Sequence, residues 1–254
     1  MTTLTPQRTS RRKRPVRRLF TRLFGIVIVI GIILGAALLS YRPFAGSGGE
    51  AKGDLPIYLG GARTVSLAEV QDKLAALDWV KQVLLPVNDY SRPGTALEEI
   101  NNIVVHYVGN PGTTAAQNRS YFSRLADSGE TLASSNFLIG MEGEILECVP
   151  INEVAYCSNW RNEDTLSIEC CHPDESGKFT DNTYDSLVRL TSWLCNELGL
   201  DSSDVIRHYD VTGKECPKYY VEHENAWEVF KSDVQEALDV IQALPAPEQK
   251  GAAD

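Results

Sequence analysis

The segment Ile206-Arg-His-Tyr-Asp-Val-Thr-Gly-Lys-Glu-Cys-Pro217 places a histidine, a lysine and a cysteine close together along the chain. His208 follows a short apolar run, and Cys216 lies eight residues later, beyond a turn that can bring it back beside the histidine. Upstream, His106 lies near the end of another apolar run, residues 103–108. Zinc binds mixed imidazole and thiolate ligands, and catalytic zinc sites keep three protein ligands and one open position. The three side chains are therefore candidate zinc ligands.

A structural role for the same residues remains open from the pattern alone. A single histidine at the end of a strand is more often a hydrogen-bonded structural residue than a ligand, and a buried cysteine commonly behaves as a small apolar side chain. A structural zinc site is a further alternative, but it would require a fourth protein ligand. The sequence offers no well-placed residue for that position.

The segments around this stretch predict strands and helices in alternation. Runs typical of buried strands and of a hairpin lie at residues 103–108, 137–141, 144–149, 165–171 and 205–207. Segments with helical spacing of apolar residues lie at 114–127, 184–198 and 222–243. This order predicts an α/β fold, in which residues 100–243 form a single domain with a mixed central β-sheet flanked by helices. Residues 244–254 are predicted to be a flexible tail.

The N-terminus combines a basic segment with an apolar one. Residues 1–22 hold eight arginines and lysines and no acidic residue, although the chain has 34 acidic against 24 basic residues and a net charge of −10. Residues 23–41 are uncharged and almost wholly apolar, about the minimum length for a membrane-spanning helix. Basic residues on one side place the N-terminus in the cytoplasm. We expect a single-pass anchor in the cell membrane and an extracytoplasmic remainder.

A cleaved signal peptide is the alternative for residues 23–41. The apolar core of a signal peptide is normally shorter, about 7–15 residues, and ends at a small-residue cleavage site. Ala-Gly-Ser-Gly-Gly at 45–49 is a weak match to such a site. In either case residues 42–254 are predicted to be exported.

A shorter helix is predicted between the membrane segment and the main domain. Residues 42–64 are rich in glycine, proline and small residues, which is typical of a tether. Ser66-Leu-Ala-Glu69 has the form of a capping box. Apolar residues then follow at helical spacing as far as Leu77, and the helix is expected to end before Pro86. Residues 42–99 are therefore predicted to be an extracytoplasmic linker with an accessory helix.

Six cysteines stand at positions 148, 157, 170, 171, 195 and 216. Cysteines of exported proteins can form disulfides, but no dense, regular framework is present here. If Cys216 binds a metal, five remain, and five cannot all pair within one chain. Their pairing stays open.

Four motifs resemble those of the N-acetylmuramoyl-L-alanine amidase type 2 family, which includes phage lysozyme-like amidases and animal peptidoglycan-recognition proteins. The motifs are Ile-Val-Val-His-Tyr (103–107), Ser-Ser-Asn-Phe-Leu-Ile-Gly (134–140), Asp-Thr-Leu-Ser-Ile-Glu (164–169) and the opening segment (206–217). The resemblance implies zinc ligation by His106, His208 and Cys216. It also implies that Glu169 is the catalytic carboxylate and that Lys214 lies beside the reacting carbonyl. The implied reaction is hydrolysis of the amide between N-acetylmuramic acid and L-alanine in peptidoglycan.

Physical chemistry is consistent with these implied roles. Zinc lowers the pKa of a bound water towards about 7. Glu169 would take the proton of the water and give it to the departing amine. Lys214 would stabilise the negative oxygen of the tetrahedral intermediate. From the residues alone, the alternation of Glu169 with Ile168 does not exclude a solvated carboxylate on an exposed strand face, and Lys214 is more simply a turn lysine.

The chain departs from the resemblance at Ser135-Asn136, where many relatives have histidine, sometimes preceded by a tyrosine that assists catalysis in phage lysozyme-like members. Ser135 cannot take that role, so the acid–base work falls on Glu169. Asn136 is expected to be a polar residue of the groove or to support one.

The two other histidines are expected to take no part in metal binding or catalysis. His172 is predicted to lie in a surface turn, and His223 is predicted to be a surface residue at the start of the last helix. A nucleophilic pairing of Cys170 or Cys171 with His172 is disfavoured, because adjacent residues of a strand point to opposite faces.

The expected partners are peptidoglycan and, through residues 23–41, a lipid bilayer, and the protein is expected to be a monomer. The basic N-terminus is expected to set topology and contact anionic lipid rather than bind nucleic acid. A non-catalytic module that binds peptidoglycan is the second hypothesis. Such family members typically lack the zinc-binding cysteine, so the presence of Cys216 favours an enzyme.

Overall fold

Six strands form one sheet within residues 66–244, the part of the chain that the computed structural model describes. The strands are β1 (Val80–Gln82), β2 (Asn102–Tyr107), β3 (Phe137–Ile139), β4 (Ile145–Glu147), β5 (Thr165–Cys170) and β6 (Val205–Arg207). Their spatial order is β1-β4-β3-β5-β2-β6. β3 and β4 pair antiparallel, as the two arms of a hairpin, whereas the other neighbouring pairs are parallel. The predicted mixed sheet is therefore confirmed.

Helices cover both faces of this sheet. They are α1 (Leu67–Ala75), α2 (Ala115–Ser128), α3 (Asp181–Leu198), α4 (His208–Thr212), α5 (Lys218–Glu222) and α6 (Glu224–Ala243), with 3₁₀ turns at Asn159–Arg161 and Ser202–Asp204. Phe137 and Ile139 of β3 belong to the apolar cluster that contains residues of α3 and α6. Leu138, between them, belongs to a second cluster with residues of α2. This alternation follows from the two-residue period of a strand and gives the predicted domain flanked by helices.

Most predicted elements form, with a few changes at their ends. Ser66 accepts a hydrogen bond from the backbone N–H of Glu69 and begins α1 as expected. Gly199 ends α3 in the left-handed conformation (φ 71°), which a glycine adopts without steric cost. The single last helix predicted for residues 222–243 was wrong at its start: the chain forms α5 and then α6, and His223 lies between them.

The segment before β2 packs against the sheet and adds a strand that the sequence analysis did not predict. β1 pairs with β4 at one edge of the sheet. Gln71 of α1 and Gln82 of β1 each donate a side-chain hydrogen bond of 2.8 Å to the carboxylate of Glu147, which is fully buried. Burial raises the pKa of Glu147, and the two amide donors oppose that shift. The helix and strand are thus tied to the domain through one buried carboxylate.

The order of the strands brings three functional segments together. β2 lies between β5 and β6 and runs parallel to both. His106 pairs in register with Glu169 of β5. Val105, the residue before His106, pairs with Arg207 of β6, and the chain then continues from Arg207 towards the same edge of the sheet. Because carboxyl ends of parallel strands meet at one edge, the side chains that follow β2, β5 and β6 converge there.

No helix of the described part is long and apolar enough to cross a membrane. Four predicted segments lie outside the described residues, wholly or for the most part: the basic segment 1–22, the anchor 23–41, the tether 42–64 and most of the tail 244–254.

Asn136 is fully buried and joins the start of β3 to β5 and to a neighbouring loop. Its Oδ1 accepts hydrogen bonds from the backbone N–H and the hydroxyl of Ser167, at 3.0 and 3.1 Å. Its Nδ2 lies 3.2–3.4 Å from the carbonyl oxygens of Val149, Pro150 and Glu153. Asn136 therefore does not line the groove, because its amide satisfies buried backbone groups. The alternative, that Asn136 supports a residue of the groove, stays a prediction.

Replacing Asn136 by alanine is expected to lower the free energy of unfolding by about 1–3 kcal/mol, because buried donors and acceptors lose their partners. Urea unfolding of the purified protein measures this loss. Asn110→Ala, at an exposed position, is the matched control and is expected to change stability by less than about 0.5 kcal/mol. Equal stability of the two variants would contradict this structural role.

Candidate functional site

Three buried side chains meet at the carboxyl edge of the sheet. The ligand atoms of His106, His208 and Cys216 all lie within 4.8 Å of one another, and the residues are 1%, 5% and 1% exposed. Cys216 Sγ lies 3.9 Å from His106 Nδ1, and the two imidazole centroids are 4.6 Å apart. The structure thus brings together the three residues that the sequence predicted as metal ligands.

A short helix returns Cys216 to the histidines. α4 begins at His208, directly after β6, and ends at Thr212. Gly213 caps it, and the left-handed backbone of this glycine (φ 75°) turns the chain back. The backbone N–H of Tyr209 then donates to the carbonyl oxygen of Cys216 at 2.8 Å. The sequence predicted a turn between the two ligands, and the structure forms that turn as one helical turn and a glycine cap.

Arg207 fixes the junction between β6 and α4. Its backbone N–H and its guanidinium bind the carboxylate of Asp210 at 2.8–3.1 Å, and Nη1 donates to the carbonyl oxygen of Tyr220 and to Glu224 at 3.0 and 2.6 Å. Arg207 is 6% exposed, so these hydrogen bonds satisfy a nearly buried cation. The network holds the chain before His208 against the helices that follow Cys216.

Burial sets the protonation of the cluster. It lowers the pKa of His106 well below its usual range, with His208 and Lys214 adding to the shift. Burial, with a contribution from Lys214, also lowers the pKa of His208 to about 4. Both imidazoles are therefore neutral near pH 7, which is the form that binds a metal. Burial raises the pKa of Cys216 to about 12, so ionisation of this thiol requires a nearby cation.

Two buried polar atoms at the site lack hydrogen-bond partners among the described residues: His208 Nδ1 and Glu169 Oε2. Buried polar atoms in folded proteins are nearly always satisfied, so such atoms at one place call for an explanation. A cation bound between the three ligands would satisfy the histidine nitrogen directly. Two imidazoles and one thiolate are donors that borderline-soft divalent cations accept, so the residues present fit a metal site.

Glu169 stands beside this cluster, at the end of β5. Burial raises its pKa to about 7, while the positive charge of Lys214 and a hydrogen bond from Cys157 lower it. Cys157 Sγ donates to Glu169 Oε1 across 3.6 Å. The sulfur of Cys157, a carboxylate oxygen of Glu169 and a ring nitrogen of His106 all lie within 4.8 Å of one another. Glu169 is partly buried, so it is not the freely solvated carboxylate that the strand pattern left open.

Lys214 is exposed and lines the same cleft as Glu169. Its charge acts on the site at a distance, as the pKa shifts of His106, His208 and Glu169 show. The cleft has a volume of about 380 Å³. A larger hollow of about 730 Å³ runs along α2, but it contains none of the predicted site residues.

The loop between β4 and β5 supplies cleft residues that the sequence analysis missed. Tyr156, Cys157, Asn159 and Asn162 line the cleft together with the predicted residues. Nothing in the local pattern marked this loop, because it lacks helical or strand periodicity. The left-handed backbone of Asn159 (φ 55°), unusual for a residue other than glycine, appears only in the structure.

Ser135 and His172 are buried, whereas His223, the other remaining histidine, is exposed. Ser135 is fully buried, and its hydroxyl donates to the carbonyl oxygen of Phe137. The surface position predicted for His172 was wrong: it is 1% exposed, its Nδ1 lies 2.8 Å from the carbonyl oxygen of Asp174, and its ring packs on Tyr107. His223 is exposed, as predicted.

All six cysteines have free thiols in the structure. Cys170 and Cys171 belong to the apolar clusters on opposite faces of the sheet. This arrangement agrees with the geometric argument against a nucleophilic pairing of these cysteines with His172.

Known proteins share this fold and sequence pattern. Over 172 residues the chain is 34% identical to the N-acetylmuramoyl-L-alanine amidase BlyA of Bacillus subtilis, covering 59% of this chain and 45% of BlyA. It is 31% identical over 164 residues to the N-acetylmuramoyl-L-alanine amidase CwlL of Bacillus licheniformis, covering 60% of this chain and 45% of CwlL. The chain thus spans less than half the length of these relatives.

A solved structure, the catalytic domain of XlyA, superposes with a TM-score of 0.53 at 25% identity, covering 61% of this chain and 98% of that domain. PlyL superposes with a TM-score of 0.54 at 17% identity, covering 61% of this chain and 96% of PlyL, and supports the fold alone. The family model described as N-acetylmuramoyl-L-alanine amidase matches residues 96–219, which include every predicted site residue. Residues 96–219 therefore form a domain of the N-acetylmuramoyl-L-alanine amidase (Amidase_2) family.

Proposed function

We propose that this protein hydrolyses the amide bond between N-acetylmuramic acid and L-alanine in peptidoglycan, with zinc held by His106, His208 and Cys216. The observation that carries the proposal is the meeting of these three ligands with Glu169 at the edge of one cleft. Two imidazoles and one thiolate suit zinc, and three protein ligands leave the fourth position for chemistry. The names of BlyA and CwlL support the choice of bond.

In this mechanism the residues of the chain bind, orient and move protons. Zinc, when bound, would supply Lewis acidity that polarises the substrate carbonyl and lowers the pKa of an attacking water. Glu169, whose pKa of about 7 lies near neutrality, would accept the proton of the water and pass it to the departing amine. Lys214, on the rim of the cleft, would donate a hydrogen bond to the negative oxygen of the tetrahedral intermediate.

The same observation favours an enzyme over the non-catalytic binding module. A module that only binds glycan needs the cleft, but it does not need a carboxylate with a raised pKa beside three metal-binding side chains. Perturbed pKa values in a cleft are typical of sites where proton transfer takes place. Glu169 and His208 meet this description, because both line the cleft and burial shifts their pKa values to about 7 and about 4.

The purified full chain in detergent is expected to release L-alanine amino groups from insoluble peptidoglycan without producing new reducing sugar ends. Incubation with a zinc chelator is expected to abolish this release, because the ligand set has no other means of activating water. Added zinc is expected to restore it. Binding to peptidoglycan with no release, in protein that contains one zinc per chain, would instead support the binding module.

Glu169→Gln separates catalysis from metal binding in the same assay. This variant keeps the size of the side chain but loses the base, so turnover is expected to fall by at least about 100-fold while the zinc content stays unchanged. The matched control is Glu163→Gln, at an exposed position outside the cleft, which is expected to retain full activity. Full turnover by Glu169→Gln would remove Glu169 from the mechanism.

The pH dependence of turnover is expected to report on Glu169. Its carboxylate form is the base, so kcat/KM should fall as the pH drops through the pKa of this group. Lys214 lowers that pKa, so Lys214→Met is expected to move the acidic limb to higher pH, in addition to lowering the rate. Lys218→Met is the control, because its ammonium binds the carbonyl oxygen of Glu175 and it lies outside the cleft. If the acidic limb of the pH profile stays in place or moves to lower pH in Lys214→Met, the assignment of that limb to Glu169 is contradicted.

We also propose that residues 23–41 anchor the protein in the cell membrane, with residues 1–22 in the cytoplasm and the amidase domain outside. The uncharged apolar run and the eight basic residues before it support this arrangement. The full chain is expected to remain in the membrane fraction after a high-salt wash and to dissolve in detergent. Recovery of a soluble exported form that begins after residue 41 would support the cleaved signal peptide instead.

A further inference from the structure

The loop between β4 and β5 contacts both candidate ligand histidines at their Nε2 atoms. Asn159 Oδ1 lies 2.7 Å from His208 Nε2. The preceding residue, Ser158, places its hydroxyl 3.4 Å from Nε2 of His106. Two consecutive residues of one loop therefore approach the same ring atom of two different histidines.

The contact with Asn159 determines which nitrogen of His208 carries the proton. An amide oxygen can only accept a hydrogen bond, so Nε2 of His208 must be the donor. In a neutral imidazole the other nitrogen, Nδ1, then keeps its lone pair. Nδ1 of His208 is buried and has no hydrogen-bond partner among the described residues. The lone pair is thus free to bind a metal.

The arrangement at His106 follows the same pattern. Nδ1 of His106 is the ring nitrogen that lies 3.9 Å from Cys216 Sγ, whereas Nε2 faces the hydroxyl of Ser158, which is 1% exposed. A serine hydroxyl can accept a hydrogen bond from Nε2–H, which leaves the lone pair on Nδ1, the nitrogen on the side of the thiol. Both histidines then keep the lone pair on the same ring nitrogen, Nδ1.

The loop is held firmly enough to enforce these contacts. The side-chain Oδ1 of Asn162 accepts hydrogen bonds from the backbone N–H groups of Cys157 and Ser158, at 3.0 and 2.6 Å. Arg161 binds the carboxylate of Asp164 at 2.7 Å, and its guanidinium also donates to the Oδ1 of the β2 residue Asn102 at 2.6 Å. Asn159 sits between these anchors in the left-handed conformation (φ 55°), which aims its amide at the site.

We propose that Ser158 and Asn159 are positioning residues that select the tautomer with the proton on Nε2 in both ligand histidines. Ligand histidines generally donate their second ring N–H to a fixed acceptor, which orients the ring and raises its basicity. Here one loop serves both rings and thereby prepares a site in which two Nδ1 atoms and one sulfur converge. The inference rests on the proposed function only for the identity of the metal.

The test uses the metal-free full chain in detergent, labelled with ¹⁵N and ¹³C at histidine. The chain has only four histidines, so each ring can be assigned by substitution. His208 of the unmodified protein is expected to show the spectrum of the Nε2–H tautomer. Asn159→Gly keeps the backbone conformation but loses the acceptor, and it is expected to mix the tautomers and weaken zinc binding by about 10–100-fold. Competition with a chromophoric chelator measures the affinity.

Asn159→Asp is the conservative variant, because it retains an acceptor oxygen, and it is expected to preserve both the tautomer and the zinc affinity. Ser158→Ala is expected to shift His106 in the same way as Asn159→Gly shifts His208, but less, since the 3.4 Å contact is longer. Trp160→Ala, at a 71% exposed position of the same loop, is the control and should change neither readout. Urea unfolding verifies that each variant is folded.

A proton on Nδ1 of His208 in the unmodified protein would overturn the proposal. Unchanged tautomer and zinc affinity in a folded Asn159→Gly variant would also overturn it, because the loop would then be a scaffold without influence on the ligands. Both readouts are made without substrate. Failure of the amidase assay would therefore leave this inference standing, and failure here would leave the reaction assignment standing.

Discussion

The parallel pairing of β2 with β5 on one side and β6 on the other is the constraint on which the site depends. This pairing places His106 opposite Glu169, and it places Val105, the residue before His106, opposite Arg207, the last residue of β6. His208 then follows directly on β6, at the same edge. Backbone hydrogen bonds of the sheet, rather than contacts between the functional side chains, hold the two histidines and the carboxylate at a common depth.

This arrangement carries an electrostatic cost that explains the chemistry of the site. Burial disfavours every charged form, so it lowers the pKa of both histidines and raises those of Glu169 and Cys216. His208 Nδ1 and Glu169 Oε2, which have no hydrogen-bond partner within residues 66–244, add to the cost. A divalent cation reverses the sign of the local field and would stabilise the thiolate and the carboxylate together. Metal binding and stability of the folded domain are therefore expected to be coupled.

The supports of the site lie in irregular segments, yet each is tied to the sheet. Arg207 links the start of α4 to the helices that follow Cys216, and Arg161 links the loop of Ser158 and Asn159 to β2. Guanidinium groups can make several hydrogen bonds in a fixed plane, which suits them to such junctions. The loops that line the cleft are therefore held in place by hydrogen bonds to strand residues of the sheet.

The sequence by itself determined five of the six strands, most of the helices and the candidate ligands, because apolar periodicity, capping residues and the segment from Ile206 to Pro217 are local signals. It did not show that Asn136 binds the backbone carbonyl groups of Val149 and Pro150, and it misplaced His172, whose ring is buried against Tyr107 of β2. It also gave no indication of β1 or of Asn159. An edge strand of three residues and a single left-handed asparagine leave no periodic trace, and only tertiary packing decides that they lie where they do.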